Sequence, residues 1–435
     1  MSSEIIGLIG IGVTLLLIFS RMPVGFVLAL VGFLGIIYLL DVEAAFYILS
    51  SNFWEQFASY NFAVVPLFIF MGMIISRSAI GATLFDTAYK WMGQLPGGLA
   101  IATTAASAGF GAMCGSGNAA VATMGTVSLP EMRKRGYALS LATGTAAATS
   151  GVLGVLIPPS TILIIYGLLT QESIGKLFLA GIFPGLLLAF LFITSIYILC
   201  RRKPNLGPRG PVTSFKQKLV SLKGVIDSLV LFAIVMGGIL AGWFSPTEAG
   251  GIGAGGALLI ALIRRKLTWQ GFKTAVLDTT QTSCMVMVLL AGGIISGRFL
   301  AVSRIPFTAA EWAGELPLPA IGILAMVFII WMIAGCFVDN TAIMVITVPI
   351  FVPIITMLGY DPVWFGIVAL LALAMGAVTP PVGIFIYVIK GVVPDVPIGT
   401  IFRGALFFLP SYVACIVILT AFPQITLFLP NLMMK

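Results

Sequence analysis

The sequence predicts an all-α polytopic membrane protein, built as an inverted repeat with two re-entrant helical hairpins and two broken helices. Three observations predict it. Hydrophobic residues make up 60% of the 435-residue chain and charged residues only 9%, where a soluble domain carries roughly 25% charge. Apolar runs recur at about the 20 residues that a helix needs to cross a hydrocarbon core ~30 Å thick. The same punctuation, a polar hairpin centre followed by a Pro-Pro pair, occurs twice along the chain.

The first run, MSSEIIGLIGIGVTLLLIFSRMP, has no basic n-region and no small-residue cleavage site, so it reads as a retained helix and not as a signal peptide. Ten crossings follow from the apolar runs, near 4–20, 22–40, 60–76, 138–170, 176–200, 224–243, 247–263, 279–300, 363–390 and 404–427. Segments 79–93 and 305–316 mix apolar with polar residues and read as interfacial helices lying along the membrane surface. Stretches 97–131 and 319–357 are apolar with a polar centre. Each of their arms has about 16–18 residues, or ~25 Å of helix, which is short for a crossing, so both are expected to be re-entrant hairpins.

The predicted domain plan is then 1–60, N-terminal scaffold helices; 61–200, a first repeat core with cytoplasmic-side hairpin 97–131; 201–223, a polar cytoplasmic linker; 224–278, scaffold helices and an interfacial segment; and 279–435, a second repeat core with periplasmic-side hairpin 319–357.

Positive charge supports this threading. With both termini outside, 19 of the 23 lysines and arginines fall on the inner face, and only Lys176, Arg298, Arg304 and Lys435 fall outside, as the positive-inside rule requires. The net charge of +8 therefore reads as an orientation signal and not as a nucleic-acid surface. The lipid bilayer is the expected surroundings, and a bacterial inner (plasma) membrane the expected location.

The chain has no histidine and no G-x-x-x-x-G-K-[ST] phosphate loop. A Ser-His-Asp triad, a histidine-ligated metal and P-loop nucleotide hydrolysis are excluded together. The five cysteines show no C-x-x-C pairing, so neither a disulfide framework nor a zinc site is indicated. An enzyme is not expected.

At an offset of 222 residues, GAMCGSGNAAVATMG aligns with IAGCFVDNTAIMVIT, and GVLGVLIPPSTI with LAMGAVTPPVGI. Cys114 falls on Cys336, Asn118 on Asn340, Gly154 on Gly376, Pro158 on Pro380, Pro159 on Pro381 and Ile162 on Ile384. Because the two hairpins enter from opposite faces, the repeat is inverted, a pattern that marks secondary transporters with sites where broken helices meet.

Tips and breaks free backbone groups that cannot face lipid and must find protein, water, ion or ligand. Cys114-Gly115-Ser116-Gly117-Asn118 and Pro158-Pro159-Ser160-Thr161 offer oxygen donors in the first half; Val338-Asp339-Asn340-Thr341 and Thr379-Pro380-Pro381 do so in the second. Such donors suit a hard cation, although Ser, Asn and Thr also cap half-helices. Asp339 is the only acid in either tip, and an intramembrane carboxylate is costly enough to be a functional candidate. Arg298 is a candidate partner for a substrate carboxylate, with snorkelling to the interface as the alternative.

GSGNAAVATMG, GVLGVLIPPS, GWFSPTEAG, DNTAIMVITVPIFVPI and GAVTPPVG, in this order over most of the chain, resemble the large membrane subunit of the tripartite ATP-independent periplasmic (TRAP) transporters. The resemblance implies sodium-coupled import of a small organic acid, of the sialic acid or C4-dicarboxylate class, by an elevator mechanism. It also implies a periplasmic substrate-binding protein and a small four-helix membrane subunit, here expected as a separate chain. Two or more Na+ ions are implied, at Ser116, Asn118, Pro158 and Ser160 in the first half and at Asp339, Asn340, Thr341, Thr379 and Pro381 in the second. The substrate would sit between the tips at Ser116, Asn118 and Asn340, with Arg298 leaning towards a sugar acid. The alternative is a stand-alone sodium/dicarboxylate symporter that needs no binding protein.

Overall fold

The computed structural model describes residues 2–433, and among them every regular element is a helix. The first half contains α1 (Ser3–Phe19), α2 (Val24–Leu39), α3 (Val42–Ala58), α4 (Val64–Arg77), α5 (Ile80–Met92), α6 (Gly98–Cys114), α7 (Gly117–Lys134), α8 (Leu139–Leu156), α9 (Thr161–Thr170) and α10 (Ile174–Arg202). A short helix, α11 (Phe215–Leu222), follows. The second half contains α12 (Ile226–Leu240), α13 (Pro246–Ile263), α14 (Trp269–Val302), α15 (Ile305–Glu315), α16 (Ala320–Gly335), α17 (Asn340–Met357), α18 (Pro362–Gly376), α19 (Ile384–Val392), α20 (Ile398–Leu406), α21 (Leu409–Ala421) and α22 (Gln424–Met433).

Shifted by 222 residues, the first half lands on the second almost element by element. The start of α6 at Gly98 meets the start of α16 at Ala320, and α2 from Val24 meets α13 from Pro246. The helices α8 and α9 meet α18 and α19, with the Pro-Pro breaks in register. The repeat thus runs from α1 to α21 and not only through the hairpins. It departs from symmetry at two places: α3 and α4 are separated by a turn of 3₁₀ helix at Tyr60–Ala63, whereas their counterparts are fused into the 34-residue α14, and the continuous α10 falls on the separate helices α20 and α21.

Seven helical stretches among the described residues are long and apolar enough to cross a membrane. Three segments differ from expectation. The run 279–300 is the C-terminal part of α14, which begins ten residues earlier at Trp269. The last run, 404–427, is divided among α20, α21 and α22, with the apolar 24-residue stretch at Ile398–Ala421. The helix α3 occupies a segment to which no crossing is assigned from sequence, because Glu43, Ser50, Asn52 and Glu55 interrupt its hydrophobic run.

The polar linker is not a loose tether. Ser214 and Gln217 form a capping box that starts α11, and the helix lies on α5 through Thr87 Oγ1 donating to the Ser221 carbonyl and Trp91 Nε1 to that of Lys218. Tyr137 Oη donates to the Pro208 carbonyl at 2.8 Å and accepts from the Leu99 amide at 3.0 Å, which staples the linker to the base of the first hairpin. Burial pushes this hydroxyl up to about 12, so it stays a donor at any physiological pH. GWFSPTEAG also has a structural reason: Ser245 and Glu248 cap each other at the start of α13, a reciprocal arrangement that satisfies two otherwise free amides.

Candidate functional site

Each hairpin turns within a few residues, and each turn is tied to the adjacent broken helix. In the first half α6 stops at Cys114, Gly115 adopts φ +62, and Ser116 caps α7 by accepting from the Ala119 amide. Only glycine takes this conformation freely, and a β-carbon on Gly115 would also sit 2.7 Å from the Pro159 carbonyl oxygen. The Gly115 carbonyl accepts from both the amide and the hydroxyl of Thr161, at 3.2 and 2.9 Å. In the second half the Cys336 carbonyl accepts from the Gly383 amide at 3.1 Å. Thr161 and Gly383 are counterparts at the offset of 222. One amide beyond each break is therefore paired with a tip carbonyl, which ties tip to break and answers part of the demand for internal pairing in a lipid medium.

The two tips converge on one cavity of about 110 Å³. Ser116 and Asn118 line it from the first hairpin, Asp339 and Thr341 from the second, and Thr161 from the first break. The opposite wall is built by Gly72 and Met73 of α4 and by Thr282 and Met285 of α14. Asp339 caps α17, its Oδ1 accepting from the Thr341 amide at 2.9 Å. A carboxylate has about four lone-pair sites, so one such bond leaves it ample capacity to accept from or coordinate a further partner in the cavity. Gly72 permits the approach of the first tip: a β-carbon there would collide with the Cys114 carbonyl.

The remaining candidates do not line the cavity. Pro158 and Ser160 are buried, and Ser160 is engaged in capping α9. Thr379 Oγ1 donates to the Met375 carbonyl at 2.7 Å, and Pro381 is exposed. Asn340 is 4% exposed, and its Oδ1 is buried without a hydrogen-bond partner among the described residues, an open acceptor on the residue that follows Asp339. These donors are oxygens of hydroxyl, amide, carbonyl and carboxylate groups, a chemistry that fits a hard monovalent cation.

Arg298 requires a correction. It is exposed near the C-terminal end of α14 and does not line the cavity. Thirteen residues of helix separate it from Met285, about 20 Å at 1.5 Å per residue. The cavity between the tips therefore gives no support to a role for Arg298 in substrate binding or to the lean towards a sugar acid.

Sequence reading missed Thr282, Met285 and Met73 as lining residues, whereas Thr161 was among the oxygen donors of the first break. Thr282 carried a signal: it lies in Asp278-Thr-Thr-Gln-Thr-Ser283, a polar run inside an apolar helix. Met73 and Met285 carried none, because apolar residues on a spanning helix look alike whichever neighbour they face.

Residues 11–425 match the family described as tripartite ATP-independent periplasmic transporter, DctM component. The chain is 34% identical to the C4-dicarboxylate TRAP transporter large permease protein DctM of Pseudomonas aeruginosa, over 88% of this chain and 89% of that one. It is 32% identical to the sialic acid TRAP transporter large permease protein SiaM of Vibrio cholerae, over 96% of each. Against the isethionate TRAP transporter permease protein DctMQ of Oleidesulfovibrio alaskensis it is 35% identical over 85% of its own length and 58% of the other's. Among solved structures, the Alcanivorax borkumensis YdaH transporter shares the fold, with a TM-score of 0.67 at 14% identity over 89% of this chain and 91% of that one.

Proposed function

The chain belongs to the DctM component family of the tripartite ATP-independent periplasmic transporters, a multi-pass membrane transporter and not an enzyme, and from that premise we propose that it imports a small organic acid in symport with sodium. The observation that carries this reading is the convergence of Ser116, Asn118, Asp339 and Thr341, from two repeats, on one cavity. Sites split between oppositely oriented units suit alternating access. The hairpins and broken helices would move as one body against α2, α4, α13 and α14, as an elevator.

Sodium is here a co-transported substrate. The first ion would be held around Ser116, Asn118 and the Pro158–Ser160 break, the second around Asp339, Asn340, Thr341 and the Thr379–Pro381 break. The unpartnered Asn340 Oδ1 supports the second site. The organic acid would occupy the cavity between the tips, with Asn118 and Thr282 as donors. Relatives named for C4-dicarboxylate and sialic acid support this class. A periplasmic binding protein would deliver it, and a small membrane subunit, as a separate chain, would complete the scaffold. Both termini would be periplasmic.

Reconstitution of this chain with a candidate small subunit in liposomes, with radiolabelled sialic acid or C4-dicarboxylate, tests the reading. Uptake that needs both an inward sodium gradient and the binding protein is the expected result. Uptake that needs sodium alone would replace it with a stand-alone symporter, and uptake indifferent to sodium would refute the coupling.

A further inference from the structure

A pocket that shares no residue with the cavity between the tips opens where the start of α5, the start of α12 and the end of α13 meet. The local sequence builds it. Helices α11 and α12 join at a 49° bend, and Gly224 in that bend lets α12 come against α5: a β-carbon there would lie 2.5 Å from the Thr83 methyl. The helix α5 starts after Ala79 without a side-chain cap, and first-turn amides left uncapped in this way favour an anion. Ser228 lines the pocket at 5% exposure, and its hydroxyl bonds no other described residue.

The charges around this pocket do not balance. Asp227 is the only acid in its lining, and Arg264 Nε neutralises it at 2.5 Å. Lys266, also in the lining, donates to Thr83 Oγ1 at 3.0 Å, which leaves two of its three ammonium hydrogens free. Neither Lys266 nor its neighbours Arg265 and Lys223 form an ion pair among the described residues. Beside this excess of positive charge the surface is apolar: Ile226 and Leu229 of α12, Leu262 and Ile263 of α13, and Trp269 at the start of α14 are exposed. A basic pocket rimmed by aliphatic side chains and a tryptophan is the pattern of a membrane–water interface.

We propose that the pocket holds the phosphate of an anionic phospholipid, with Lys266, Ser228 and the first-turn amides of α5 as donors and the acyl chains along α12 and α13. Basic pockets between membrane helices on the cytoplasmic side take such headgroups, and the positive-inside rule makes this face cytoplasmic. The size agrees, because about 40 Å³ is room for roughly three water-sized groups, enough for the oxygens of one phosphate and too little for a nucleotide. The site has a mechanical consequence. The helix α5 packs on both arms of the first hairpin, α6 and α7, while α13 packs on α4, so a headgroup held between α5 and α13 ties the base of that hairpin to its neighbours.

Melting of the purified full chain in a neutral detergent, titrated with phosphatidylglycerol, tests the proposal. Each variant's lipid-free melting temperature is its own baseline, so a change in the fold itself is read separately. The wild type is expected to gain in melting temperature, and Lys266→Gln to need about fivefold more lipid for the same gain, the worth of one basic residue at an anionic surface. Lys134→Gln, which removes the same charge from the exposed end of α7, is expected to titrate as wild type. Equal weakening in both variants would overturn the proposal by reducing it to diffuse charge attraction. The absence of any gain, or an equal gain with phosphatidylcholine, would overturn it too, and an equal gain with inorganic phosphate would give the pocket to a free anion and not to a lipid.

Discussion

The first repeat and the second carry corresponding helices in the same order, yet the first has its Pro-Pro break buried, with the following α9 packed on α4, and the second has its break exposed. The tips differ as well. The first is Cys114-Gly-Ser-Gly-Asn118, without an acid, and the second contains Asp339. The difference teaches that pseudo-symmetry sets the architecture while local residues set the two tips apart: glycine brings the first tip close to its scaffold helix, and a carboxylate gives the second a charged group that the first lacks.

The largest expected effect separates the tips by charge. Losing a charged partner costs up to about 3 kcal/mol, roughly a hundredfold in affinity, against roughly tenfold for a neutral hydroxyl. Asp339→Ala should therefore abolish measurable sodium-dependent uptake, and Ser116→Ala should raise the sodium concentration for half-maximal uptake about tenfold. Equal sodium dependence in both variants and wild type would dissolve the distinction. Size-exclusion profiles of the two proteins check that neither has merely unfolded.

Backbone geometry gives the next effect. Gly115→Ala meets both a positive φ and the Pro159 carbonyl, whereas at Gly383, also at positive φ, the nearest atom is a Phe402 ring carbon at 3.1 Å. Strain of about 1–2 kcal/mol applies to each, and overpacking adds ~1–3 kcal/mol at Gly115. Melting in detergent should drop more for Gly115→Ala than for Gly383→Ala; the reverse order would mean that the second tip is the tighter one.

A smaller contrast lies in the scaffold. The helix α13 begins with the Ser245–Glu248 capping box, while its counterpart α2 begins at Pro23 with no side-chain cap. Ser245→Ala should cost about 1 kcal/mol, read as a lower melting temperature with uptake retained. The smallest effect is the pair Arg133–Asp395, which joins the end of α7 to the loop after α19. The hydrogen bond from Arg133 holds the Asp395 carboxyl below its ordinary range. A depressed carboxylate stabilises above its unfolded value, near 4, and loses that contribution as pH falls through its lowered value. Asp395→Asn should thus melt slightly below wild type at neutral pH, with the gap closing in acid; a gap that persists in acid would assign the effect to something other than the ion pair.

Much of this was legible because it depends on local chemistry. A chain so apolar can only be a membrane protein, and the paired Asn and Pro-Pro positions announced a duplicated core. Other features depend on neighbours. Arg298 offered the right group in the wrong place, since its distance from the tips follows from the length and continuity of α14. Thr282 and Met73 reach the cavity only because α4 and α14 pack side by side.

By itself the sequence determined the membrane class, the inverted repeat, the tip residues and the absence of histidine chemistry, since composition, helix length and Gly/Pro punctuation act within a few turns of chain. The tertiary structure alone decided that the two tips share one cavity, that α11 is docked on α5, and that one break is buried while its counterpart is exposed. Those outcomes depend on which helix faces lie together, and near-uniform apolar helices carry little periodic signal that could specify a partner in advance.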